Sequence, residues 1–530
     1  MNKKIQHEAI FQLLLLPLLI ILYLIKNFTF PVSESLQFLT DSTSFKQLLT
    51  VSYHPPIYFF ILRIFQLFIP DKIIACQMVG VISIYLAALL LFHIIKKQET
   101  DSPVSIKYWL VLFFITFVPI YNSMFLLDID NTIMTPFLLF FINYFLDNVK
   151  QAKPWKISLL LVLLFWIKEV MYPPVIIFIF IITIIELGIK NGFIKFLQIL
   201  IISSLLSAIT YGLYSHLLFN NWGAIAFNGE KLFYKVTTIG SSESANSLKF
   251  SLNSFKGLIS ILCWINPLLC FIIIINLKKI LSSYKNKYYL LFIFIYGFIL
   301  LTAWGNPGGY IKYHIPLISF LLFLLYPAFI EMLVSVNKKF IFALLILIIV
   351  YFFSGDYLYQ IYTMNTTRSS NSKFIFLFTT LYLLLPVLSM VLFSRKIKVS
   401  TVALIFLIAQ NFGLLGNQIL ADYSTNYHYG DRGIYEVINF LKANHLETKV
   451  RFGTTPYLPV AIFNISFPTK KEQISPQEKE YFVDRDYSFI RNAVFLPNLK
   501  EYTKIKQIGN YQIWKKNGSP QISGIHYHSE

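Results

Sequence analysis

In a chain where charge is scarce, a few ionisable side chains stand just beyond apolar runs. They are Glu34, Asp41, His54 and Arg63 after the first run, Asp128 and Asp130 after the third, Lys168 and Glu169 after the fifth, and Lys312 and His314 before the tenth. Ionisable groups at membrane depth cost several kcal/mol and mark function by default. Carboxylates mixed with cations suit transfer of a group away from phosphate. When a sugar leaves a polyprenyl phosphate, the departing group is already a stable anion and needs no general acid. It needs positive charge, from Lys, Arg or a divalent metal ion. The attacking acceptor hydroxyl must lose its proton, and one positioned carboxylate is enough for that. A glycosidase would instead need a carboxylate pair.

The elements that position these residues are membrane spans. Hydrophobic residues make up 56% of the 530 positions and charged residues 13%, where a soluble chain carries about a quarter charged. Mean hydropathy is +0.62. Apolar runs between Ile10 and Leu420 are each long enough to approach the ~30 Å of a hydrocarbon core. Read against charge they give thirteen spans: 9–25, 73–93, 108–126, 132–148, 157–168, 172–188, 194–218, 257–277, 288–304, 314–333, 339–354, 374–393 and 399–420. The first run lacks a small-residue cleavage site and reads as a retained span rather than a signal peptide.

Net charge of +19 is an orientation signal here, because the basic residues sit in short connections rather than among exposed aromatics. Nucleic acid is therefore not an expected partner. With the N-terminus inside, the inner connections hold Lys96/Lys97/Lys107, Lys150/Lys153/Lys156, Lys190/Lys195, Lys278/Lys279/Lys285/Lys287, Lys338/Lys339 and Arg395/Lys396/Lys398. That is the positive-inside pattern. It holds only if residues 55–69, with Arg63 in their middle, lie on the outer leaflet as an interfacial helix started by Pro55-Pro56. Residues 34–50 are a second, more polar candidate of this kind, within a first outer loop of 26–72. Cys76, Cys263 and Cys270 lie in apolar runs and offer neither a disulfide framework nor a zinc pattern.

Residues 1–421 thus form the membrane domain, and 422–530 a small soluble α/β domain on the outer face. In the latter, GDRGIYEVINFLKANH reads as an amphipathic helix with Ile434, Val437, Ile438 and Leu441 on one face. TKVRFGT, AVFLP and a hairpin IKQIGNYQIW around Gly509-Asn510 read as strands.

These residues also resemble a family. VSESLQFL followed by SYHPPIYFFILRIFQLF is similar to the first outer loop of the C-type (GT-C fold) membrane glycosyltransferases, which include the dolichyl-phosphate-mannose–protein mannosyltransferases and the aminoarabinose transferases. FLLDIDNTIMTPFLLFF looks like their second outer acidic site, LLFWIKEVMYPPVIIF like their lysine-bearing reentry, and GGYIKYHIPLISFLL like their Arg-Tyr…Pro segment with Lys312 in the arginine's place. The likeness runs from residue 10 to about 335. It implies an all-α polytopic fold, a polyprenyl-phosphate sugar donor, and a glycan, lipid or protein acceptor. Glu34, Asp128 and Asp130 become the catalytic carboxylates. Arg63, Lys168 and Lys312 become the donor-phosphate ligands, and His54, Tyr313 and His314 line the substrate. Glu34 and His54 are the candidate ligands if a divalent metal ion takes part. One departure matters: Ser33-Glu34 stands where the family has Asp-Glu, so the base is Glu34, or Asp41, Asp128 or Asp130, or the activity is lost.

Each residue has a plainer reading. Glu34 can be a solvated loop acid, His54 the residue before a helix-starting Pro-Pro, and Arg63 a snorkelling anchor. Asp128 and Asp130 suit an N-cap and first-turn acid, Lys168 and Glu169 a mutual pair, and Lys312 an interfacial anchor. The rival functions are a surface-polysaccharide polymerase or ligase, a lipid-linked glycan transporter, and an inactive glycan-binding relative. The wealth of Ile, Lys and Phe points to a bacterial inner membrane with the site on its extracytoplasmic face.

Overall fold

Helix occupies each of the thirteen expected intervals in the computed structural model. It describes residues 3–24, 57–70, 72–98, 106–116, 129–168, 171–220, 222, 266–303, 315–335, 338–354, 384–393, 397–420, 433–446, 449–452, 480–485, 501–508 and 511–518. The helices are α1 (Lys3–Leu24), α2 (Ile57–Phe68), α3 (Lys72–Gln98), α4 (Ile106–Thr116), α5 (Ile129–Asn148), α6 (Pro154–Ile167), α7 (Tyr172–Leu187) and α8 (Ile189–Phe219). They continue as α9 (Pro267–Ile275), α10 (Leu277–Ser282), α11 (Tyr284–Ala303), α12 (Ile315–Leu324), α13 (Tyr326–Ser335), α14 (Lys338–Phe353), α15 (Leu385–Phe393) and α16 (Val399–Leu420), with α17 (Gly433–Ala443) beyond.

Among the described residues, Gln77–Lys97 in α3 and Ile189–Leu217 in α8 are each long and apolar enough to cross a membrane. The pair α12 and α13, bent by 47°, makes a third if it is one broken span. Pro327 at the start of α13 accounts for that bend, since it lacks the N–H that an unbroken helix would use. Other intervals hold shorter apolar helices. On α8, Ile201, Leu205, Ile209 and Leu217 are 55%, 58%, 56% and 78% exposed. A row of bare aliphatic side chains on a long apolar helix is a lipid-facing stripe, so this is an integral membrane protein.

One end of the bundle is tied by lysine–carboxylate pairs. Glu8 meets Lys96 at 2.5 Å and Lys107 at 2.9 Å, joining α1, α3 and α4. Asp147 meets Lys285 at 2.5 Å and Glu186 meets Lys150 at 3.3 Å, joining α5, α7 and α11. Glu331 of α13 pairs with Lys279 and, at 3.2 Å, with Lys398, and accepts from Ser400 at 2.6 Å. These carboxylates fall among the lysines of the expected inner connections, so the pairs gather at the end that the positive-inside rule expects to face inward.

The core between the ends is apolar with a few paired amides. Asn266 Nδ2 donates to Gln410 Oε1 at 2.7 Å, Gln410 Nε2 to the Tyr351 hydroxyl at 3.2 Å, and Asn411 Nδ2 to Thr116 Oγ1 at 3.1 Å. All five residues are buried. Such bonds fix α16 against α4, α9 and α14 where dispersion alone would leave its rotation loose. Gly413 allows that closeness: a Cβ there would lie 2.6 Å from Tyr351 Cβ and 2.7 Å from the Ile348 carbonyl.

Beyond α16, α17 covers a four-stranded sheet of β1 (Val450–Phe452), β2 (Tyr481–Arg485), β3 (Tyr502–Ile508) and β4 (Tyr511–Lys516). The strand order is β1-β2-β4-β3, with β1 and β2 parallel and the other pairs antiparallel. Val437, Ile438 and Leu441 of the expected helix face are buried against Tyr481, Val483, Tyr511 and Ile513. The expected hairpin pairs as read, with Ile508 opposite Tyr511. β2 went unread although it is central, and the proposed AVFLP strand lies outside the described residues.

Candidate functional site

Contacts near the lysine-rich end fix where the opposite end lies. The Tyr289 hydroxyl donates to Asn143 Oδ1 at 2.5 Å, joining the start of α11 to the end of α5. The same ring stacks on Phe323 near the end of α12, centroids 4.9 Å apart. Hence α5 and α12 run in the same direction, and both begin at the opposite end. Ser158 near the start of α6 donates to the Ile199 carbonyl at 3.0 Å, while Lys195 on the same stretch of α8 donates to the Val149 carbonyl at the end of α5, at 2.7 Å. So α6 starts at the lysine-rich end and finishes, at Lys168, at the opposite one.

Lys168 is where α6 stops. Its backbone is extended (φ −156°, ψ 104°), its N–H donates to the Leu164 carbonyl, and its own carbonyl accepts from Met171 at 3.1 Å. Pro173 and Pro174 follow in the first turn of α7, where missing N–H groups cost nothing and the fixed φ starts a helix. The chain therefore reverses over a few residues, and the Lys168 side chain is 2% exposed. A cation suits the negative end of the α6 dipole.

Arg63 lies on α2, which packs against α3, α5 and α6. Leu62 is fully buried, and Ile57, Ile61 and Phe65 pack on the same core. On the other side Phe60, Ile64, Leu67 and Phe68 are 40–81% exposed. Arg63 itself is exposed, and its Nη1 donates to Gln66 Oε1 at 2.9 Å. A two-sided apolar helix with a polar edge is suited to lie along the membrane surface.

The elements bearing several candidates thus meet at one end. Arg63 is on α2, Asp130 is in the first turn of α5, and Lys168 caps α6; α2 touches both of the others. Lys312, Tyr313 and His314 immediately precede α12 in sequence, which packs on α5. Those three residues, and Glu34, Asp41, His54, Asp128 and Glu169, lie outside the described residues. Among the described residues no group of three or more His, Cys, Asp or Glu side chains is placed to hold a metal ion; Glu34 and His54, the metal candidates, are not among them.

Just before Lys168 in sequence, α6 contributes Phe165 and Trp166 to an aromatic cluster with α7 and α8 that the sequence analysis did not single out. Trp166 is 4.7 Å from Tyr211 and 5.3 Å from Tyr214 between ring centroids. Phe165 is 5.0 Å from Tyr211 and 5.5 Å from Tyr172. The available signal was the FW pair two to three residues before the lysine, with YGLY on the neighbouring helix.

No family model matches the chain, and no curated protein does. Among solved structures it is similar to the crystal structure of ArnT from Cupriavidus metallidurans bound to undecaprenyl phosphate, at 9% identity and a TM-score of 0.45, with 96% of this chain and 99% of that one covered. A likeness that loose carries no weight for the chemistry, which rests on the residues themselves.

Proposed function

We propose that this protein is a glycosyltransferase that moves a sugar from a polyprenyl-phosphate donor to an acceptor hydroxyl at the outer face of the membrane. The supporting observation is the meeting of α2, α5 and α6 at the end opposite the lysine–carboxylate pairs, which brings together the elements of Arg63, Asp130 and buried Lys168. Lys312, shortly before α12 in sequence, is the third cation of this reading.

The reaction is a single displacement. Arg63, Lys168 and Lys312 bind the donor phosphate and hold its growing negative charge as the glycosidic C–O bond breaks. Glu34 takes the proton of the acceptor hydroxyl as that oxygen bonds to the anomeric carbon; Asp128 and Asp130 supply the second acidic site. His54, Tyr313 and His314 orient the sugar, and a divalent ion held by Glu34 and His54 would add positive charge at the phosphate. The acceptor is a glycan, lipid or protein hydroxyl, and the setting is a bacterial plasma membrane facing outward.

The test is turnover by the purified protein with a panel of polyprenyl-phosphate sugars, paired with identification of the lipid-linked sugar that accumulates when the gene is deleted. Lys168→Ala should remove about 2–4 kcal/mol of transition-state stabilisation. Unchanged turnover would remove Lys168 from the site, and no turnover of any such donor by the parent would overturn the reading.

A further inference from the structure

We propose that the sheet face turned away from α17 binds an acidic glycan chain, which serves as the acceptor. The acceptor role rests on the glycosyltransferase reading above; the surface itself does not. Strand alternation assigns the face. Tyr511 and Ile513 of β4 are buried with Val437, Ile438 and Leu441 of α17, so Gln512, Trp514 and Lys516 belong to the opposite side. Across the register Lys516 meets Tyr502, and Trp514 meets Lys504. Two aromatics and two lysines thus alternate as a checkerboard over β3 and β4. Trp514 is also in register with Phe482, and Phe482 with Arg451. The row Arg451, Phe482, Trp514, Lys504 crosses all four strands, about 14 Å at the usual strand spacing.

These residue types fit sugar rings that carry negative charge. A flat aromatic face attracts the polarised C–H bonds on the apolar side of a sugar, and lysine supplies the counter-charge. Lys504 is exposed, while Tyr502, Trp514 and Lys516 are half-buried. Lys504 Nζ donates to Gln507 Oε1 at 2.5 Å, which holds the ammonium on the sheet without neutralising it. Among the described residues neither Lys504 nor Lys516 is paired with a carboxylate. The acids of this face are Glu480, taken by Lys449 at 3.7 Å, and Asp484, in register with Gln512, so cations predominate. Lysine on an edge strand guards against stray pairing, which would account for Lys504 on β3. It does not account for Lys516, because β4 is an interior strand.

Single-stranded nucleic acid would use the same pairing of aromatics with cations, but location favours the glycan. Ser400, near the start of α16, donates to Glu331 at the lysine-rich end. The 22 residues of α16 then extend about 33 Å, enough to cross a hydrocarbon core. The sheet therefore follows α16 beyond the opposite end, where α6 stops at Lys168 and where the glycosyltransferase reading puts the outer face. Glycan is at hand there and nucleic acid is not.

The experiment measures binding to the full-length protein of three probes matched in length: an oligouronate, the same chain with its carboxyl groups reduced to alcohols, and single-stranded DNA. At low salt the parent should prefer the oligouronate to the reduced chain by about tenfold. Lys504→Gln combined with Lys516→Gln should abolish that preference and leave the reduced chain bound as before. Trp514→Leu should weaken both glycans about tenfold; if that variant fails to fold, the lysine pair decides alone. If the parent binds no oligouronate, or the lysine variant keeps the preference, the surface assignment fails while turnover of lipid-phosphate sugars is unaffected. If DNA binds more tightly than the oligouronate, the face takes any polyanion and the assignment fails. If the oligouronate binds as expected but no lipid-phosphate sugar is turned over, the surface stands and its acceptor role falls with the enzymatic reading.

Discussion

The carboxylate of Glu8 lies 2.5 Å from the ammonium of Lys96, so the first residues of α1 and the last of α3 share one end of the bundle. Only α2 is described between those two helices, and at twelve residues it reaches about 18 Å, well short of the hydrocarbon thickness. Had α2 crossed, Glu8 and Lys96 would be on opposite sides. The pair therefore supports a surface helix at 57–68 and the orientation built on it. Cysteines introduced at Thr100 and Ser424 should be labelled by an impermeant reagent from opposite sides. Labelling of both from the same side would contradict this topology.

The same carboxylate sets a pH dependence. Burial of Glu8 pushes its pKa up, but hydrogen bonds from Lys96 and Lys107 with their positive charge outweigh that and hold it below the ordinary 4.5. A lowered folded pKa contributes stability that is fully present above the unfolded value and fades as pH falls through the folded one. Thermal unfolding in detergent should thus lose part of its midpoint through this group as pH falls below the ordinary carboxylate range. Glu8→Gln should flatten that part of the profile. At neutral pH it should also cost about 1–3 kcal/mol, since Lys107, 3% exposed, loses a buried partner. An identical acid limb in parent and variant would remove Glu8 from the account.

Gln410 joins Asn266 to Tyr351 inside the bundle. Gln410→Leu removes one hydrogen bond from each partner in an apolar core, at a cost of about 1–3 kcal/mol. Gln410→Glu, protonated and still bonding at low pH, should recover part of it there. The check is the unfolding midpoint of each variant at neutral and acidic pH; equal midpoints for parent and Gln410→Leu would show that the amide bridge is idle.

Apolar period and lysine placement were strong sequence signals, because lipid imposes helix and positive charge imposes side. They placed the thirteen intervals in which helix is found and the amphipathic face of α17. Helix length was less legible. Pro327 breaks one interval, read as an unbroken apolar run, at Leu325, and past Asn276 the short helix α10 forms in what read as an inner connection. The carboxylate partners at the lysine-rich end were missed because lysines were counted for orientation, while Glu8, Glu186 and Glu331 each sit singly among apolar residues. β2 was missed because YFVDR is short and follows a charged stretch; its alternation of Tyr481 and Val483 into the core is visible only once α17 has a sheet to cover. For the site, Arg63 and Lys168 stood out as charges in apolar settings. The aromatic cluster did not, since one Phe or Tyr among so many carries no signal until two helices are placed side by side.

The central claim is that Glu34 is the base of a sugar transfer from a lipid phosphate, and turnover of Glu34→Gln by the purified protein tests it most directly. The amide keeps the shape and removes the proton acceptor, so turnover should fall about 100-fold or more while donor binding survives. Ser33→Asp, which restores the acidic pair of the resembling family, should keep or raise activity. Normal turnover by Glu34→Gln beside a dead Asp128→Asn or Asp130→Asn would move the base to the second acidic site. All three variants matching a measurably active parent would contradict the account.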